Sequence, residues 1–323
     1  MSLNNIIGQD RAVKLLKSAI SNRELNGAYL FLGPEGVGKS AAAIEFAKAL
    51  NCEKNNPDAC DECASCNKVN SMNHPDVSII KKEKDSSYVK IDKIRDVIYQ
   101  ASLKPYEGRK KIFLITDADN MNEEAQNALL KLLEEPRENQ ILILTTSRIS
   151  GILPTVVSRC KAVKFNLLLQ KQISVLLMKR QGFTEDEAVL FSHMALGSPG
   201  MAIDFKEKEG IKERDRMLND FFFRKRALFR EDVCDEKKYP DLERSLNMLL
   251  SWYRDMLISK FTENKEVFLN MDRIEEIFSY AARFSADKLA RDIGSVMKTI
   301  NHIRRNVNPK MALFNMALEL ERQ

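Results

Sequence analysis

Gly33-Pro34-Glu35-Gly36-Val37-Gly38-Lys39-Ser40 satisfies every fixed position of the phosphate-binding pattern G-x-x-x-x-G-K-[ST]. Glycines let the backbone N–H groups approach an anion, and the helix that follows turns its positive end towards it. In this chemistry Lys39 reaches the outer phosphates of a nucleotide and Ser40 ligates Mg²⁺. An acidic residue at the end of a second strand holds the same ion through water, and Asp117 is in that place. ATPases of this design follow that Asp with a Glu that polarises the attacking water. Here the next residue is Ala118, which can neither accept a proton nor orient water, and Asp119 is one position further on. The expectation is a chain that binds ATP with Mg²⁺ and hydrolyses it little or not at all.

Cys52-x₇-Cys60-x₂-Cys63-x₂-Cys66 offers four thiolates, the number that closes a tetrahedral Zn²⁺ site. Cys-x₂-Cys-x₂-Cys also occurs in iron–sulfur proteins, but those continue to a Cys-Pro that is missing here. Structural zinc is therefore expected, with Asn55 to Asp58 as the stretch that lets Cys52 fold back. His74-Pro75-Asp76 reads as a turn into the next strand. Cys160 reads as a small apolar side chain.

These groups must be positioned by regular elements. Tyr29 to Leu32 is an apolar run before the glycine loop, and Ala41 to Leu50 a helix after it. Asp76–Ile80, Ile112–Ile115, Ile141–Leu144 and Ala162–Phe165 read as further strands. Ile91 to Ser102 reads as a helix, and so does the run holding Ala125, Ala128, Leu129, Leu132 and Leu133. Glu123 and Glu124 favour the first turn of that run, and Pro136 lies just beyond its end. Strands alternating with helices predict a parallel sheet covered on both faces. After Asn166 only helical periodicity is visible. The chain thus divides into an α/β nucleotide domain over 1–166 with the cysteine insertion at 52–66, a small helical domain over 167–207, and an all-α domain over 208–323.

The chain has 323 residues, and at 44% hydrophobic and 30% charged it reads as a soluble globular protein. A net charge of +5 does not fit a dedicated DNA-coating protein, though it permits a local basic strip. No apolar run is long enough to span a bilayer and no secretory signal is visible, so the cytoplasm is the expected location.

The glycine loop, the cysteine cluster, the run Asn127-Ala128-Leu129-Leu130-Lys131-Leu132-Leu133-Glu134-Glu135-Pro136, Thr145-Thr146, Ile152-Leu153-Pro154-Thr155 and Ser158-Arg159-Cys160 occur here in one order. In this combination the chain resembles AAA+ clamp-loader subunits, and among them the delta-prime group of bacterial DNA polymerase III. The likeness runs from Ile7-Gly8-Gln9 to Asn306-Val307-Asn308-Pro309 and is densest before Asn166. It implies that Thr145 or Thr146 lies near the γ-phosphate as a sensor. It also implies that Arg159 contacts nucleotide held by a neighbouring subunit, a task suited to a permanently charged fork of donors. Gly200, in Gly197-Ser198-Pro199-Gly200-Met201-Ala202, stands where hydrolysing loader subunits carry a phosphate-sensing Arg.

The resemblance makes residues 167–207 a lid and residues 208–323 a collar for oligomerisation. The implied partners are the gamma/tau and delta subunits, with the sliding clamp and primer–template DNA met through the complex. Delta-prime is described as a stator, a rigid wall that lends its Arg to motor subunits. An active motor ATPase of the gamma/tau kind is the alternative, and a branch-migration helicase shares the same nucleotide domain. Phe221-Phe222-Phe223 and Trp252-Tyr253 read as core or interface packing rather than base-stacking groups.

Overall fold

The computed structural model of the chain describes residues 2–22, 25, 27–82, 88–137, 139–207, 209–223, 242–305 and 307–321. Cys234, Asn306 and the side chains of Phe221 and Phe223 lie outside the described residues. The chain forms two compact units. The first holds residues 1–176 together with 197–200, and the second holds residues 177–196 and 201–323.

The first unit is built on five strands: β1 (Gly27–Leu32), β2 (Val77–Ile80), β3 (Lys111–Ile115), β4 (Gln140–Thr146) and β5 (Cys160–Lys164). Their order is β2-β3-β4-β1-β5, and every pairing is parallel. Alternate side chains serve opposite faces. Tyr29, Phe31, Ile112, Leu114, Ile141 and Ile143 pack on one side with Leu16 and Phe46. Leu16 comes from helix α1 (Asp10–Ser21) and Phe46 from α2 (Lys39–Asn51). Leu30, Phe113, Ile115, Leu142 and Leu144 pack on the other side with residues of α4 (Ile91–Ala101) and α5 (Glu123–Glu134). The cysteine segment ends in α3 (Ala64–Asn70), and the short α6 (Pro154–Val157) leads into β5.

Both faces of the central strands are buried, which is why they read as continuous apolar runs. Strand β5 begins at Cys160, two residues before its apolar core, because it lies at the sheet edge and exposes Lys161 and Ala162. The Asn122 side chain accepts a hydrogen bond from Ala125 N–H and so caps α5, whose two leading glutamates suit the helix dipole.

Beyond the sheet the described chain is helical: α7 (Gln170–Gln181), α8 (Glu185–Met194), α9 (Pro199–Glu207), α10 (Gly210–Met217), α11 (Leu242–Ile258), α12 (Ile274–Ala281), α13 (Ala286–Arg304) and α14 (Pro309–Glu321). In the second unit Trp252 and Tyr253 are buried in the core, each edge-on to Phe222 at 6.0 and 5.6 Å. Base stacking by these two residues is thereby excluded. The charged stretch before Arg216 conceals a core residue. Arg214 is fully buried and pairs with Asp272 at 2.6 Å and Asp215 at 3.0 Å.

Candidate functional site

Strand β1 is the switch point of the sheet, since the chain leaves it for β2 on the far side of β4 and β3. Ligand crevices of open parallel sheets form at the carboxyl ends of strands at such a point. The glycine loop opens there. Gly33 N–H donates to Thr146 O at 3.3 Å, which ties the start of the loop to the end of β4. Gly36 and Gly38 adopt φ of +72° and +97°, values that favour glycine, and Gly38 is the N-cap of α2. Lys39 is buried, and its ammonium donates to Gly33 O at 2.7 Å and Pro34 O at 2.6 Å. The carbonyls of the loop are thus wrapped round the lysine ammonium. Burial lowers the Lys39 pKa, and the carboxylates of Asp117, Glu35 and Asp119 offset this only in part.

Asp117 follows β3 with φ +50° and is exposed. Its N–H donates to Thr145 Oγ1 at 3.1 Å, so the ends of β3 and β4 are joined beside the loop. Thr145 and Thr146 are both fully buried. The Thr146 hydroxyl lies 2.9 Å from Asp119 Oδ1 and accepts from Arg148 N–H at 3.1 Å. Asp119 also accepts from Arg148 Nε at 3.1 Å, so it faces β4 and its turn. Burial works to raise the Asp119 pKa, but the bonds from Thr146 and Arg148 outweigh it and hold the carboxyl below its ordinary range. Ala118, where a water-polarising Glu would stand, is fully buried in the core.

Segment 197–200 packs on the glycine loop. Ser198 Oγ donates to Glu35 O at 2.8 Å and Gly200 N–H to Gly36 O at 2.9 Å. A Cβ on Gly200 would lie 2.7 Å from Gly36 Cα, and one on Gly36 would lie 2.3 Å from Ser198 Oγ. Position 200 therefore accommodates no side chain unless the loop moves. Sequence reasoning assigned no role to Gln9. Its buried amide donates to Asn166 O at 2.7 Å and accepts from Asn166 N–H at 3.0 Å, with Val37 O at 3.4 Å. A polar residue beside Gly8 gives no hydropathy signal for such burial.

Arg159 follows α6 and is exposed. Its Nη1 donates to Thr155 O at 2.9 Å, and Nη2 lies 2.8 Å from Glu134 Oε1. Burial pushes the neighbouring Cys160 thiol up to about 12, which suits an inert packing residue.

The four clustered cysteines converge. Their sulfur atoms all lie within 4.8 Å of one another, with Cys60 and Cys66 at 3.9 Å. Thiolates round a tetrahedral zinc stand about 3.8 Å apart, so this set can hold a metal ion. N–H groups of Cys60, Cys63 and Cys66 donate to the sulfurs of Cys52, Cys60 and Cys63 at 3.4 Å each, so the backbone turns donors towards three of the four sulfurs.

The cluster is anchored on several sides. Cys52 caps the end of α2, and the fully buried Lys48 pairs with Glu45 at 2.7 Å and also bonds Asp61 and Asn70. Asp58 accepts from Leu3 N–H at 2.7 Å and Asn4 N–H at 3.0 Å, and Arg109 bonds Cys52 O. His74 stays outside the sulfur set. Its Nδ1 accepts from Asp76 N–H at 3.1 Å and its Nε2 lies 3.2 Å from Ser65 Oγ, in the turn before β2.

Two family models match this chain, one described as "DNA polymerase III, delta subunit" over residues 8–168 and one as "DNA polymerase III, delta subunit, C terminal" over residues 208–322. The chain is 28% identical to the DNA polymerase III subunit delta' of Bacillus subtilis, over 97% of this chain and 96% of that protein. It is 37% identical to the subunit delta' of Pseudomonas aeruginosa over 41% of each. The tau subunit of B. subtilis is 28% identical over 85% of this chain, which spans 53% of that longer protein. A Thermotoga maritima structure titled as a DNA polymerase III gamma subunit-related protein covers 95% of this chain and 99% of its own, at 20% identity and a TM-score of 0.42. Matched along its sheet unit and its helical end alike, the chain belongs to the DNA polymerase III delta-prime family.

Proposed function

We propose that this chain is the stator of a DNA polymerase III clamp loader, joining gamma/tau motor subunits and a delta subunit in the cytoplasm. The assembly uses ATP to open a sliding clamp and place it on primer–template DNA. The observation that carries the reading is Ala118, fully buried at the strand end where hydrolysis requires a carboxylate. Gly200, pressed against Gly36, leaves no room for a phosphate-sensing Arg in this arrangement. The chain contributes Arg159 to the nucleotide site of a neighbour instead.

Lys39, Ser40, Asp117 and the loop N–H groups still suit a nucleotide and Mg²⁺, so the chain holds ATP without turning it over. Thr145 and Thr146 support the loop from β4 and place Asp117 and Asp119. Cys52, Cys60, Cys63 and Cys66 hold a structural zinc. Bound there, the ion supplies cross-linking and no reactive position. Residues 1–166 act as the nucleotide domain, 167–207 as the lid and 208–323 as the collar. The exposed side chains Met311, Phe314 and Leu318 form one stripe of α14 and suit association with other subunits.

DNA-stimulated ATP hydrolysis by the reconstituted loader tests the reading, with Arg159→Ala and Lys39→Ala introduced separately in this chain. Arg159→Ala is expected to slow the site it serves by about 10³-fold and Lys39→Ala to change the rate little. The reverse result makes the chain a motor. The complete glycine loop favours that second reading, and turnover by the isolated chain, abolished by Lys39→Ala, would establish it.

A further inference from the structure

A trans-acting Arg159 needs its side chain held ready at the subunit surface. An arginine on a short turn has several rotatable bonds, and ordering it on demand slows any step that needs it in one place. In this chain the guanidinium is already held between two helix ends. Nη1 donates to Thr155 O in the last turn of α6, and Nη2 meets Glu134 at 2.8 Å. Glu134 is the last residue of α5, where the helix dipole disfavours a carboxylate, so it gains from a cation beside it. The two contacts use two of the five guanidinium N–H donors. Among the described residues Arg159 has no further partner. Its remaining donors are therefore free for phosphate oxygens while the two existing bonds stay in place.

We infer that Glu134 is a positioning residue for Arg159: it fixes the guanidinium at the subunit surface in an orientation that presents the unused N–H groups to a neighbour's nucleotide. This rests on the trans role proposed above. The side chains of Arg159 and Glu134 are 36% and 49% exposed, and such a pair adds little to folding stability, so its effect lies in orientation.

The test is steady-state ATP hydrolysis by the reconstituted loader on primed DNA, with Glu134→Ala and Glu134→Gln made in this chain, each with and without Arg159→Ala. Glu134→Ala is expected to lower kcat about two- to tenfold, the equivalent of re-ordering one long side chain, with KM unchanged. Glu134→Gln retains the Oε1 acceptor and should recover part of the rate. In the Arg159→Ala background neither change should matter. An unchanged or increased kcat for Glu134→Ala overturns the inference, and so does a further loss in the Arg159→Ala background. If Arg159→Ala alone leaves kcat intact, the trans reading fails first and the inference with it. Melting of the isolated Glu134→Ala chain at the wild-type temperature separates orientation from misfolding.

Discussion

Gly36 and Gly200 face each other backbone to backbone, and that contact makes a sharp demand on residue type. Gly36→Ala would strain a φ of +72° and drive a Cβ to 2.3 Å from Ser198 Oγ. Gly38→Ala, at φ +97° but with open space around it, carries the backbone strain alone. Denaturant unfolding should therefore show a loss of about 1–2 kcal/mol for Gly38→Ala and a larger one for Gly36→Ala. Equal losses would mean that segment 197–200 yields freely. The loop itself was fully legible in the sequence, as was the absence of a Glu at position 118. The partner of Gly36 was not, because a contact between residues so far apart in the chain leaves no local pattern. Thr145 and Thr146 show the same limit. Their place at a strand end could be read, but not that one hydroxyl serves the Asp117 backbone and the other serves Asp119.

Helix α2 carries the glycine loop at its start and a cysteine of the four-sulfur cluster at its end. The zinc proposed for the cluster predicts stoichiometric metal by elemental analysis of the wild-type chain, lost in Cys66→Ser together with several kcal/mol of stability, since binding energy at a structural site is folding energy. Retained metal would mean that three sulfurs suffice. The spacing of the cysteines announced this site. The anchors round it were hidden, because Lys48 sits in an ordinary helical pattern yet is fully buried. Arg214 in α10 is the second such case, lost to view within a charged stretch. Asp272→Asn would leave that buried guanidinium with Asp215 as its remaining carboxylate partner among the described residues, beside the Asn270 amide oxygen at 3.4 Å, and should cost about 3 kcal/mol in a denaturant titration. Burial raises the Asp272 pKa, but the bond and charge of Arg214 outweigh it and hold the carboxyl below its ordinary value. The unfolded chain thus binds the proton more readily than the folded one. The contribution is present above a pH of about 4 and is lost as pH falls through the lower folded value. The substitution should flatten this part of the acid limb of the stability profile, and an unaltered limb would place its origin elsewhere.

At the scale of the whole molecule, an alternating pattern of strands and helices followed by helices alone was enough to anticipate a parallel sheet and a helical remainder. Composition could not assign the exposed residues of α14 to a purpose, because Met311, Phe314 and Leu318 share a helix with a buried stripe that includes Leu313, Met316 and Leu320. Met311→Glu combined with Leu318→Glu should leave the melting temperature of the isolated chain nearly unchanged and prevent its co-elution with motor and delta subunits in gel filtration. Normal co-elution would move the assembly surface elsewhere. The strand order has a further consequence, for biosynthesis. Strand β1 is made early, yet its neighbours are β4 and β5, with Gly27 beside Ile141 and Ala28 beside Cys160. A ribosome must therefore deliver most of the first unit before its central strand can be enclosed. The four clustered cysteines emerge well before that moment. The zinc proposed for this cluster can therefore be captured by the nascent chain before the sheet closes.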